Sequence, residues 1–338
     1  MHFGAPQPGQ AHPAATTVPY STCSSAYSAL SSRAYCRHEH PWTSQTSQAS
    51  LPAASALGIR VIAADLIGLG TPGQHTYVNH TEEGHATLDA ARAGLAFSGV
   101  PADSPVAFYG YSQGGGAAAG AAELAASYGQ ELSVKGTFAG APPSDPLEVV
   151  KAVDNHMIAG VAGYAVNGAL TRYPELGPLM DRYLNDEGKR YLAATADECI
   201  GQSVENWENW ENWENWENWE NTDTRTLTVD GRSLAEILQQ DPQVNAVFTG
   251  PNYRLDDRAL NAPMLLINAL HDDTIPYGQA RELADAYRGL GGTVDFVTDP
   301  LPEMMPQTAM NHAIPMFSQA GTAFEWLVDR FNGVPAGA

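Results

Sequence analysis

The segment Gly110-Tyr-Ser-Gln-Gly114 constrains this chain most, because an apolar strand precedes it and a helix of small residues follows it at once. Residues 105–109 form a short apolar run that predicts a buried strand, and the Gly- and Ala-rich residues 115–128 predict a helix. A serine at such a turn has a strained backbone and an exposed hydroxyl above the strand end. The flanking glycines let strand and helix approach closely. The pattern therefore predicts a nucleophilic Ser112.

Strands and helices alternate on both sides of this segment. Other apolar runs predict strands over residues 58–65, 132–139, 263–269 and 293–297, and helical patterns cover residues 81–97, 277–288 and 313–331. Such alternation predicts a mainly parallel sheet covered by helices on both faces. A long block of helical patterning interrupts the series. We therefore predict an α/β fold with an inserted helical cap.

This pattern divides the chain into three parts. Residues 1–54, rich in Ser, Ala, Pro, His and Gln, show neither helical nor strand periodicity and are predicted to be irregular or disordered. Residues 55–141 and 263–338 carry the α/β core, and residues 142–262 form the cap. Within the cap, Glu-Asn-Trp triplets repeat over residues 205–220 with a period that fits neither helix nor strand. We interpret the repeat as a solvated acidic loop, with an aromatic lipid-contacting surface as the alternative.

A serine hydroxyl needs a base to become a nucleophile, and the base needs a carboxylate that orients it. With a strand–turn–helix motif of this kind the chain order is serine, acid, histidine. Asp272 and Asp273 follow a late apolar strand, and this pattern leaves both as candidates for the acid. His312 lies beyond the last strand, in a predicted loop before the terminal helix, whereas His271 is expected in a surface loop. His312 is therefore the candidate base.

The backbone N–H of Gln113, at the start of the predicted helix, is expected to bind the carbonyl oxygen that becomes negative when the serine attacks. No cofactor is predicted. Residues 68–73 match a G-x-G-x-x-G pattern, but Pro72 and the polar residues after it do not open a helix, as a dinucleotide site requires. The histidines show no metal-ligand spacing with the cysteines, so no metal is predicted either.

Charge and hydropathy exclude several classes of partner. The chain has 38 Asp and Glu against 17 Lys and Arg, and its net charge is −21. Nucleic acids and anionic membrane surfaces need clustered positive charge, so neither is the predicted partner. No apolar run reaches the ~18 residues that span a bilayer, so stable membrane insertion is not predicted. The opening residues lack the charged start and apolar run of a signal peptide.

Several motifs in order along the chain resemble the secretory lipase family, which comprises α/β-hydrolases of actinobacteria and yeasts with a helical cap. They lie at residues 67–73, 88–93, 110–116, 140–143, 272–277 and 326–333. The resemblance implies an extracellular esterase that acts on acylglycerols at a lipid–water interface. It implies Ser112 as the nucleophile and His312 as the base, and it gives Asp272 rather than Asp273 the orienting role.

The N-terminus departs from the family pattern. Relatives have an earlier strand whose Gly-Thr-type turn supplies a second oxyanion donor, and residues 1–54 show no such strand and turn. Losing one donor costs ~10²–10³ in rate, so a catalytically impaired relative is one alternative. A short-chain or cutinase-like esterase is another, because Gly-Tyr-Ser-Gln-Gly also occurs there, although those enzymes lack a long cap. The resemblance further implies that Cys199 bridges to the N-terminal region, with Cys36 or Cys23 as its partner.

Overall fold

The computed structural model describes residues 58–69, 72–197, 200 and 219–337, with the backbone alone for residues 16–22 and 197. The strands are β1 (Thr16–Thr22), β2 (Ile59–Ala63), β3 (Pro105–Tyr111), β4 (Ser133–Gly140), β5 (Met264–Ala269) and β6 (Val294–Asp299). The helices are α1 (His80–Phe97), α2 (Gln113–Ala125), α3 (Pro146–Ala152), α4 (Gly160–Arg172), α5 (Gly177–Tyr183), α6 (Asp186–Asp197), α7 (Leu234–Gln240), α8 (Pro242–Phe248), α9 (Tyr277–Gly289), α10 (Met310–Ser318) and α11 (Ala320–Phe331).

These strands form one parallel sheet in the order β2-β1-β3-β4-β5-β6. Parallel strands need crossover connections. Helices α2 and α9 supply them between the neighbours β3 and β4 and the neighbours β5 and β6, and α1 connects β2 to β3, which lie on either side of β1. The connection from β4 to β5 holds α3 to α8, which form the helical cap. The α/β fold with a mainly parallel sheet and an inserted helical block, predicted from strand–helix alternation, is therefore confirmed.

Small residues allow α1 and α2 to pack closely. The whole of α2 is buried, and an added Cβ at Gly84 would lie 2.6 Å from the backbone carbon of Gly120. An added Cβ at Gly120 would lie 2.4 Å from the carbonyl oxygen of His80. Contacts this short exclude any side chain, so the Gly- and Ala-rich composition of α2 follows from its place between β3 and α1.

Strand β1 corrects the expectation that residues 1–54 are irregular. It pairs in parallel with β2 on one side and with β3 on the other, and Thr22 lies in register with Tyr111. The sequence of β1 has no long apolar run, and Pro19 argues against a strand between two neighbours. The pairing depends on partners distant in sequence, which local periodicity does not report. The rest of residues 1–54 lies outside the described residues.

The ends of some helices also differ from expectation. Helix α1 begins one residue before the predicted start at residue 81, and Asn79 caps it, since its side chain accepts the N–H of Glu82 at 3.1 Å. The terminal helix predicted over residues 313–331 is two helices, α10 and α11, which meet at Gln319. Within the described part of the chain, no helix combines the length and the apolar character needed to cross a bilayer.

The end of the Glu-Asn-Trp repeat is packed into the cap. Trp219 is 6% exposed, and its ring meets that of Tyr191 edge to face with centroids 5.1 Å apart. The solvated loop predicted for residues 205–220 is therefore wrong at this end, because a bulky aromatic side chain gains more from burial than from a polar surface. Residues 205–218 lie outside the described residues, as do Cys23, Cys36 and Cys199.

We predict that Trp219→Ala destabilises the protein by about 3–5 kcal/mol, because it leaves a cavity among buried cap side chains. Urea unfolding followed by circular dichroism would measure the loss. Val229→Ala is the matched control, since Val229 is 68% exposed and its truncation should cost less than about 0.5 kcal/mol. Equal stability of the Trp219 variant and the control would contradict the packing of the indole.

Candidate active site

Ser112 occupies the tight turn between β3 and α2. Its backbone lies in a left-handed region, with φ 56° and ψ −126°, and its N–H donates to the carbonyl of Gly140 at 2.8 Å. A Cβ added at Gly110 would lie 1.8 Å from the carbonyl oxygen of Gly114. A non-glycine residue in this conformation is strained and persists only where its surroundings enforce it. The turn thus holds the Ser112 hydroxyl at the carboxyl edge of the sheet.

The imidazole of His312 lies within hydrogen-bond distance of Ser112. Its Nε2 is 2.8 Å from Ser112 Oγ, and its Nδ1 is 2.9 Å from Asp272 Oδ2. An ionised carboxylate only accepts, so Nδ1 carries the proton and Nε2 accepts the Ser112 hydroxyl. Tyr111, next to Ser112, also donates its hydroxyl to the backbone carbonyl of His312 at 2.6 Å. Both the ring and the backbone of His312 are therefore held.

His312 lies on a helix and not in the loop that the sequence pattern predicted. It is in the first turn of α10, which begins directly after Ala309. Ala309 has a left-handed backbone with φ 61°, and its carbonyl accepts the N–H of Ala313 at 2.8 Å. That turn starts the helix three residues earlier than the pattern indicated.

Asp272 is fixed by two backbone groups as well as by His312. Its Oδ1 accepts the N–H of Thr274 at 3.0 Å and the N–H of Ile275 at 2.8 Å, so Oδ2 faces the imidazole. The carboxylate is fully buried. Buried, fully bonded carboxylates of this kind set the orientation of a histidine ring.

Asp273 faces away from His312 and towards the cap. Its Oδ2 lies 3.6 Å from Nε2 of the buried His156, and the side chain is 13% exposed. Burial alone would raise the pKa of Asp273, but the His156 imidazole holds it below its ordinary value. Asp273 is therefore paired with a cap histidine and is not a solvated turn residue.

Two elements bring main chain close to Ser112: the start of α2 and the end of β1. Gln113 is the first residue of α2, and the first N–H groups of a helix have no acceptor within the helix. β1 ends at Thr22, beside Tyr111 and hence beside Ser112. The expectation that no strand precedes β2 is wrong, while the turn after Thr22 lies outside the described residues.

Sequence reasoning missed a buried polar cluster behind Gln113, formed by His75, His80 and Glu83. Glu83 is 2% exposed and His80 is 1% exposed. Glu83 lies four residues before Thr87 and five before Leu88, so it shares the buried face of α1, but an acidic side chain at a helix start gives no distinct sequence signal of burial. His271, in contrast, is exposed, as expected for a surface loop.

Sites for metals and nucleotides are the remaining alternatives. Across the described ranges, no group of three His, Cys, Asp or Glu side chains is arranged to hold a metal ion. After the glycines at 68 and 73 no helix begins until His80, so the chain does not open a helix where a dinucleotide site needs one.

A model of the secretory lipase family matches residues 40–338. The chain belongs to the secretory lipase family. A secreted triacylglycerol lipase of Malassezia furfur is 30% identical over 66% of this chain and 45% of its own length. A probable inactive lipase of Mycobacterium tuberculosis is 26% identical over 75% of this chain and 52% of its own length. The chain thus spans about half the length of these curated relatives.

Solved structures share the fold. The closed state of Candida antarctica lipase A gives a TM-score of 0.73 at 19% identity, covering 98% of this chain and 73% of that one. A rice cell wall degrading esterase of Xanthomonas oryzae gives 0.66 at 17% identity, covering 94% of this chain and 82% of that one. Both likenesses show an α/β-hydrolase fold.

We predict that Asp272→Asn lowers kcat for a soluble p-nitrophenyl ester by about 10⁴-fold, because the amide no longer fixes the His312 tautomer. Asp273→Asn is the matched control on the adjacent residue and should stay within about tenfold of the parent. Steady-state kinetics on both purified variants would measure the difference. The reverse ranking would move the orienting role to Asp273.

Proposed function

We propose that this chain is a serine hydrolase of carboxylic esters, and specifically a triacylglycerol lipase. The line of two hydrogen bonds from Asp272 through His312 to Ser112 carries this proposal. A hydroxyl, an imidazole and a carboxylate in this order make a serine nucleophilic. Membership of the secretory lipase family supports the same chemistry.

In the proposed reaction, Ser112 Oγ attacks the ester carbonyl while His312 Nε2 takes the hydroxyl proton. The carbonyl oxygen becomes negative and is bound by the N–H of Gln113 at the start of α2. His312 then gives its proton to the departing alcohol, which leaves an acyl group on Ser112. Water, deprotonated by the same imidazole, hydrolyses the acyl-enzyme, and Asp272 stabilises the imidazolium each time it forms.

The choice of acylglycerol as substrate rests on the relatives and on the surface near the site. The Malassezia furfur relative is named as a secreted triacylglycerol lipase, and from this we also propose an extracellular location. Leu270, beside the acid loop, is 49% exposed, and Met305, in the segment before His312, is 65% exposed. Exposed apolar side chains of this kind favour a lipid–water interface. The net charge of −21 favours neutral lipid over anionic membranes.

Two observations support alternatives to a lipase, and the experiment below distinguishes them. The Mycobacterium tuberculosis relative is named as a probable inactive lipase, so a catalytically impaired relative is one competing outcome. A short-chain esterase is the other, because the Ser112 turn and the His312 contacts serve any carboxylic ester. Activity towards emulsions of increasing chain length separates the two from a lipase.

We predict that the parent hydrolyses both tributyrin and emulsified triolein, and that its rate rises once substrate exceeds its solubility limit. Ser112→Ala should lower both rates by about 10⁴-fold or more, because the nucleophile is lost while the fold is kept. Ser127→Ala is the matched control, since that serine is exposed at the far end of α2 and should change neither rate.

Labelling with a fluorophosphonate probe separates the outcomes. A folded parent that reacts at Ser112 and hydrolyses only short soluble esters would be a short-chain esterase. A folded parent that neither reacts nor hydrolyses any ester would be an impaired relative. Equal activity of Ser112→Ala and the parent would place the nucleophile elsewhere.

A further inference from the structure

We propose that Glu83 and His75 are positioning residues that hold the side chain of Gln113 and so aim its backbone N–H at the developing oxyanion. The inference rests on the proposed function, since it assigns a role within the same reaction. In the described structure their hydrogen bonds go to Gln113 and not to Ser112 or His312, so both would act through Gln113.

The Gln113 side chain is buried and bonded at its amide nitrogen. It is 3% exposed, and its Nε2 donates to Glu83 Oε1 at 2.7 Å and to Nε2 of His75. The two hydrogens of this NH₂ group therefore bond to two different parts of the chain, one to Glu83 on α1 and one to His75 in the loop after β2. A side chain held at two points fixes its own backbone more tightly than apolar packing does.

The proton positions around His75 agree with this arrangement. His75 Nδ1 lies 2.6 Å from the carbonyl oxygen of Ile67, so it carries a proton, and Nε2 is left to accept from Gln113. Burial lowers the pKa of His75 and so favours the neutral ring. The Glu83 carboxylate acts in the opposite direction, but the net pKa remains below the ordinary value. A protonated ring would present a donor to the Gln113 amide and break the contact.

Glu83 is itself anchored at a strained point of the chain. Its Oε1 also accepts the N–H of Val78 at 3.1 Å. Val78 has a left-handed backbone with φ 54°, which is a rare and costly conformation for a β-branched residue. Val78, which donates its backbone N–H to the Glu83 carboxylate, is therefore strained. Backbone strain of this kind concentrates at functional sites.

The first turn of α2 has no other side chain that could hold it. Residues 114–116 are all glycine, and the packing requires it at two of them. A Cβ at Gly115 would lie 2.4 Å from the carbonyl oxygen of Gly140, and one at Gly116 would lie 2.5 Å from Cε1 of His80. Close packing therefore removes side chains from this turn, and Gln113 alone ties it to α1 and the preceding loop.

We predict that Gln113→Leu, which keeps the backbone N–H but removes the amide, lowers kcat for a soluble ester by about tenfold. The loss should be smaller than the ~10²–10³ of deleting a donor, because the donor is misaligned and not removed. KM should change by less than about twofold, since the interaction matters in the transition state and not in substrate binding. Rates are normalised to active sites titrated with a fluorophosphonate.

Glu83 variants test whether the residues act as one unit. Glu83→Gln keeps an oxygen that accepts from Gln113 and Val78, so it should restore kcat to within about threefold of the parent. Glu83→Leu should lose about as much as Gln113→Leu. The double variant should lose no more than either single variant, because both remove the same tether.

Gln279→Leu is the matched control. Gln279 is also a buried glutamine that accepts two hydrogen bonds, from Asp145 N–H at 2.7 Å and from Ser144 Oγ at 3.3 Å. Its loss should lower the melting temperature without changing kcat per titrated site.

A trifluoromethyl ketone, which mimics the tetrahedral oxyanion, gives a second measurement. Its inhibition constant should rise in Gln113→Leu by the same factor by which kcat/KM falls.

Two results would overturn the proposal: unchanged kcat in Gln113→Leu, or additive losses in the double variant. A melting temperature lowered equally in Gln113→Leu and Gln279→Leu, with kcat unchanged in both, would show a purely structural role. Failure of the proposed function is distinct, because the parent itself would then neither react with the fluorophosphonate nor hydrolyse the ester.

Discussion

The strained turn at Ser112 is the constraint on which the rest of the structure depends. A left-handed serine between β3 and α2 requires that the strand and the helix nearly touch, so Gly110 and Gly115 cannot carry side chains. Helix α2 must then be made of small residues, and α1 packs on it with glycines of its own. The bond from Ser112 N–H to the Gly140 carbonyl ties the turn to β4 as well. The composition of α2, its packing on α1 and the position of Ser112 therefore follow from one local geometry.

The parallel sheet explains how residues far apart in sequence meet at that turn. Parallel strands place their carboxyl ends at one edge, where ligand and catalytic groups of open α/β sheets collect. Asp272 follows β5 and His312 follows β6, so both reach the edge at which β3 delivers Ser112. Asp299, the last residue of β6, accepts from Ser318 Oγ at 3.0 Å and from Gln319 Nε2 at 2.7 Å. These bonds fix the end of α10, and with it the helix that carries His312.

Local patterns predicted those parts of the fold and site that local sequence determines. The Ser112 turn, the core strands and the acid pair each have a compact signature, and the fold class followed from their order. Periodicity could not find β1, because its stability comes from pairing with β2 and β3. It could not choose between Asp272 and Asp273 either, since both follow β5 and only the direction of each side chain separates them. The choice came from family resemblance. The burial of Glu83 was missed because an acidic residue at a helix start gives no distinct sequence signal of burial.

The cap and the candidate site are mechanically connected, and this follows from two contacts on neighbouring residues. His156 faces Asp273, next to Asp272, and the N–H of Met157 donates to the carbonyl of Gln307 at 2.9 Å, in the segment that leads to His312. One short piece of the cap thus touches both the acid loop and the base segment. A displacement of that piece would act on Asp272 and His312 together, whereas Ser112 and Gln113 are held from the opposite side by β4, α1 and the loop after β2. Ser112 and Gln113 thus bond to the core of the fold, whereas the segments that carry Asp272 and His312 also contact the cap.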